Sequence, residues 1–131
     1  MGAGINEVQL ALHQATHSMA DAACELIGPG SQISELSVKF HPEYHADGTT
    51  RSGFKPATFE IYFRVFPEKR RSDREERAFC RTWRASVLRA IRELTNQQPS
   101  LSLRQLHVQW HGTVSMQTSI EFEVTSTGSP T

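Results

Sequence analysis

The chain has 131 residues, 37% of them hydrophobic, with 14 Lys and Arg against 14 Asp and Glu. That length predicts one domain, and the charge balance excludes a chain that binds nucleic acid or membrane through its net charge. Two cysteines, Cys24 and Cys80, are too few for a disulfide scaffold, so a reduced, cytoplasmic protein is expected. The opening MGAGINEVQ lacks the basic and apolar regions of a signal peptide, and no apolar run approaches membrane-span length.

The first element reads as a helix. Ile5, Val8, Leu12, Ala15, Met19, Ala22 and Leu26 recur at steps of three and four, and Gly28-Pro29-Gly30 stops the run. ELSVKFH then alternates as a strand, with Leu36, Val38 and Phe40 inward. A polar loop over 42–57 carries Asp47-Gly48 and Ser52-Gly53 as turn signals, and a second strand sends Phe59, Ile61, Phe63 and Val65 inward.

Ser72 or Asp73 can cap a second helix, with Glu75 and Glu76 in its first turn. Its apolar stripe is Phe79, Trp83, Val87, Ile91 and Leu94, closed by NQQPS. Two further strands put Leu106, Val108 and Trp110, then Val114, Met116, Ile120, Phe122 and Val124, on one face, with a turn at Gly112-Thr113. The order αββαββ predicts an α+β fold: a four-stranded antiparallel sheet, both helices on one face, and a polar, solvated opposite face. The domain is expected to span 1–125, with 126–131 as a disordered polar tail.

All six histidines fall into H-x-x-x-H pairs: His13/His17, His41/His45 and His107/His111. On a helix that spacing shares a face, so His13 and His17, with Asp21 and Cys24 beyond them, form the strongest candidate for zinc or nickel. On a strand the same spacing spans roughly 13 Å, too far for one metal. His107 and His111 do point to the polar sheet face, as does His41, beside Glu35, Glu60, Glu121 and Glu123. An ordinary solvated surface explains these positions better, so neither metal nor cofactor is expected.

A second feature is concentrated in KRRSDREERAFCRTWRASVLRAIR, where eight arginines lie between Arg70 and Arg92. On a helix Arg74, Arg77, Arg81, Arg84 and Arg92 fall within about a quarter-turn of one another. The first 38 residues hold four acids and no Lys or Arg. A neutral chain is thus electrically polarised. Arginine suits carboxylate or phosphate through its bidentate fork, so the stripe fits an acidic protein partner or nucleic acid. A solvated helix face written in arginine accounts for it equally well. The same arginines would lower the pKa of an exposed Cys80, whereas a buried Cys80 would be a small hydrophobe. The chain contains no G-x-S-x-G, phosphate-binding loop, dinucleotide fingerprint or C-x-x-C.

The element order over about residues 5–125, with the stretches FEIYFRV and SIEFEV, resembles the YezG-like family of bacterial immunity proteins. The resemblance implies a small cytoplasmic antitoxin that binds and neutralises a cognate secreted nuclease toxin. It carries over no functional residue. Homing endonucleases share the order, but their LAGLIDADG signature is missing; type III secretion chaperones have a related layout with further elements. The expectation is a non-catalytic protein-binding protein, an immunity protein above all. Its interface candidates are Arg74, Arg77, Arg81 and Arg84 on the helix, and Tyr62, His107 and His111 on the sheet. A nucleic-acid-binding accessory domain using the arginine face is the alternative, and no membrane partner is expected.

Overall fold

The computed structural model describes residues 4–45, 54–69, 72–111 and 115–125. Helix α1 (Ile5–Ile27) leads into β1 (Gln32–His41), a short ladder of β2 (Tyr44–His45) with β3 (Phe54–Lys55), and β4 (Thr58–Phe66). Helix α2 (Asp73–Gln97) then precedes β5 (Leu101–His111) and β6 (Ser115–Val124). The main sheet is antiparallel in the order β1-β4-β6-β5. The fold is α+β, as the apolar patterns predict, with both helices packed on the sheet. α1 lies over β1 and β4, α2 lies over β5, and the helices touch each other.

Alternation decides which sheet face is covered. Phe59, Ile61, Phe63 and Val65 from β4, and Met116, Thr118, Ile120 and Phe122 from β6, are all buried beneath the helices. Their neighbours Glu60, Tyr62, Arg64, Gln117, Ser119, Glu121 and Glu123 point away. Central strands bury fully and edge strands do not. Val108 and Trp110 were expected in the core, and on edge strand β5 they are only half-buried against it.

α1 corrects the sequence reading in one respect. Leu26 and Ile5, both assigned to its buried stripe, are 40% exposed, and Ala22 is exposed too. The buried residues are Val8, Leu12, Thr16, Met19, Ala20, Ala23 and Ile27. Leu26 stands five full turns after the buried Val8, so helical pitch alone does not expose it; at the end of the helix the inward position is taken by Ile27 instead. Thr16 is admitted to the core because its hydroxyl donates to the Leu12 carbonyl at 2.6 Å. Gly28, at φ 120°, ends the helix in a conformation that glycine tolerates, its N–H donating to the Cys24 carbonyl.

Ser72 caps α2 through a reciprocal box: its hydroxyl accepts from the Glu75 N–H, and its own N–H donates to the Glu75 carboxylate. Two tryptophans fasten this helix to the sheet. Trp83 Nε1 donates to Thr118 Oγ1 at 2.9 Å, and its ring meets Phe63 edge-on. From the other side, β5 sends Trp110 Nε1 to the Glu76 carbonyl at 3.1 Å, with Phe79 edge-on against its ring.

The short β2–β3 ladder occupies part of the stretch expected to be a loop, pairing Tyr44 with Lys55 and His45 with Phe54. The Gly112-Thr113 turn, Val114, Arg70, Arg71 and the 126–131 tail lie outside the described residues.

Candidate functional site

The seven candidate residues divide between two surfaces on opposite sides of the sheet. Arg74, Arg77, Arg81 and Arg84 are all exposed on α2. None of them makes an ion pair with a described residue. Tyr62, half-buried, and His107 and His111, exposed, belong to the open sheet face.

Register orders the open face into rows. Tyr62 lies opposite Ser119, and Ser119 lies opposite His107. With Glu60, Gln109 and Gln117 they enclose a shallow polar depression of about 410 Å³. Glu60 faces Glu121 directly across β4–β6, an unfavourable juxtaposition of like charge. Each acid on this face nevertheless has a basic neighbour. His41 Nε2 lies 3.4 Å from Glu60, Arg64 Nε 3.6 Å from Glu35, and Arg104 lies 3.9 and 4.0 Å from Glu121 and Glu123. His107 Nε2 sits 2.7 Å from the Gln105 side-chain amide. Two guanidiniums and one imidazole thus stand beside four carboxylates.

The histidines do not converge. His41 is on β1 and His107 and His111 on β5, the two edges of the sheet, with β4 and β6 between them. Three strand spacings of about 4.8 Å separate them. On α1, His13 is half-buried, His17 and Asp21 are exposed, and Cys24 is half-buried against the core. The described residues contain no group of three His, Cys, Asp or Glu arranged to hold a metal ion.

α2 presents a different chemistry. Arg77, Arg81, Asp73, Glu76, Cys80 and Trp110 line an open groove of about 460 Å³ between the helix and β5. Sequence reading missed Glu76 as a groove residue, placing it only in the first helical turn. It is 8% exposed, and its Oε2 is buried without a hydrogen-bond partner among the described residues. A carboxylate oxygen in that state costs free energy that a ligand's donor would recover. The signal was available in part, since Glu76 stands seven residues before Trp83 and so on the same helix face.

Cys80 is half-buried, nearer the buried of its two alternatives. Burial, and secondarily the charge of Glu76, raise its thiol above the ordinary 9.0, whatever the arginines contribute. Burial and then Asp21 raise Cys24 similarly. Both are free thiols, and both stay protonated at neutral pH.

A second groove, of about 260 Å³, separates the helices and is lined by Ala15, Ser18 and Ala22 from α1 and by Trp83, Ser86 and Ala90 from α2. Ser86 and Ala90 are roughly half a turn from Arg77 and Arg81 around α2. The arginine side therefore faces away from α1, over the β5 edge of the sheet. No described helix is long and apolar enough to cross a membrane. Comparison of the chain with protein families, with curated proteins and with solved structures found no match.

Proposed function

We propose that this chain is a non-catalytic protein-binding protein, an immunity protein that neutralises a cognate bacterial toxin in the cytoplasm. One observation carries the reading: α2 exposes a row of guanidinium groups that make no ion pair with a described residue, while the acids of the open sheet face have basic neighbours of their own. Arginines spaced along one helix face present forked N–H donors that suit carboxylates. The element order shared with YezG-like immunity proteins, and two free thiols, agree with a cytoplasmic antitoxin.

Affinity capture from the source organism with the intact chain, followed by mass spectrometry, tests the reading. The expected result is a stoichiometric protein partner whose capture is lost with Arg77→Glu and Arg81→Glu together. Nucleic acid is the competing ligand, because the same guanidiniums suit phosphate. It would appear as a gel shift that weakens steeply with salt and is abolished by the same pair of substitutions. Recovery of nucleic acid without a protein partner would replace the proposal with that second reading.

A further inference from the structure

The two candidate surfaces face opposite ways, yet both border one line, the free edge of β5. Among the described residues β5 forms a strand ladder only with β6, and its other edge pairs with no strand. His107 and His111 flank that edge on the open face. Trp110 flanks it on the helix face, beside Arg77 and Arg81 across the groove.

The two sheet edges differ in their guards. β1 carries a bulge between Ser34 and Ser37, with Glu35 at φ 60°, and a charged Lys39 further along. β5 has its irregularity early, between Leu103 and Gln105. From Gln105 to His111 it then runs QLHVQWH, in unbroken register with no Pro, Gly, Lys, Arg, Asp or Glu. Edge strands are ordinarily blunted by charge, proline or bulges against unwanted pairing. This stretch has none of the three.

We infer that the β5 edge receives an extended, acid-rich segment of the protein partner by antiparallel strand addition, its carboxylates reaching Arg77 and Arg81. This rests on the protein-binding reading and specifies its interface. Backbone N–H and C=O groups of Gln105–His111 supply the pairing, and alternate side chains of the incoming strand face the helix side. There the guanidiniums take its carboxylates at the groove rim, while Glu76 Oε2, buried and unpartnered in the wall, takes a hydroxyl or amide donor. A second copy of this chain fits poorly. Edge-to-edge pairing about a two-fold axis would place two arginine faces against each other, a repulsive arrangement.

The test uses the isotope-labelled full chain and an eight-residue peptide alternating glutamate and valine. Controls replace glutamate with lysine, or valine with proline. The expected result is slowed hydrogen exchange at alternate amides of Gln105–His111, those that point outward from an antiparallel edge. Amide shifts should accompany it along the arginine turns of α2. Binding should weaken about tenfold or more with Arg77→Glu and Arg81→Glu, and be lost with the lysine or proline peptide. Shifts confined to α2 with unprotected β5 amides, equal binding of the lysine peptide, peptide-independent dimerisation, or no binding would each overturn the inference. A captured native partner that leaves β5 unprotected overturns the strand addition alone. Capture of no protein partner at all defeats the reading beneath it.

Discussion

α1 and α2 cover the same sheet and have nearly the same length, 23 and 25 residues, but they are attached by different means. α1 buries Val8, Leu12, Met19 and Ile27 with small residues between them; it contributes no aromatic ring, and Gly4 gives its N-terminus no side-chain cap. α2 buries fewer residues and is pinned at defined points by Trp83, Trp110 and the Ser72 box. Packing without directional bonds lets α1 tolerate polar flanks such as His13. Directional attachment holds α2 in one rotational setting, which fixes where its arginines project. The helix that is most firmly oriented is the one that carries the candidate interface.

If that contrast is real, Trp83→Ala should be the most damaging single truncation in the helix layer. It removes a ring that is 2% exposed and strands the buried Thr118 hydroxyl. A loss of about 3–5 kcal/mol is expected in denaturant unfolding. Trp83→Phe should recover most of the packing and leave a deficit of about 1–3 kcal/mol from the orphaned hydroxyl.

Leu12→Ala is the matching change in α1. Leu12 is fully buried but makes only dispersive contacts, so about 2–4 kcal/mol should be lost, less than for Trp83→Ala. The reverse ranking by the same measurement would break the comparison.

At the helix starts the expected effects are smaller and still unequal. Ser72→Ala removes one half of the capping box and should cost about 1 kcal/mol. Gly4→Ala should move stability by no more than a few tenths, since Gly4 makes no side-chain cap to lose. Thermal melts of the two variants side by side would show it.

Much of this architecture was legible in the sequence because it rests on periodicity. Alternation in FEIYFRV and SIEFEV set the inward faces of β4 and β6, and Ser72 or Asp73 followed by Glu75 and Glu76 marked the start of α2. What escaped was set by geometry between elements. Periodicity cannot say that β1 and β5 are the sheet edges, and that order is what keeps His41 away from His107. Nor can it say that one sheet edge, β5, borders both the arginine side and the open face. The exchange of Leu26 for Ile27 at the end of α1 was equally beyond periodicity, since Leu26 shares its side of the helix with the buried Val8.

The smallest effect concerns the arginines themselves, and its sign matters more than its size. Arg81 is exposed and makes no ion pair with a described residue, and its helical neighbours at three and four residues include Arg77 and Arg84. Such like-charged pairs each cost a helix about 0.2–0.5 kcal/mol. Arg81→Glu turns both repulsions into attractions and removes no buried contact. The variant should therefore be more stable than the parent by about 0.5 kcal/mol at low salt, with the gain fading as ionic strength screens the charges. Binding of the proposed protein partner should fall in the same variant. A residue whose replacement strengthens the fold and weakens binding is retained for the partner. Destabilisation on Arg81→Glu would mean instead that the guanidinium supports α2, and the arginine face would lose its claim to be an interface.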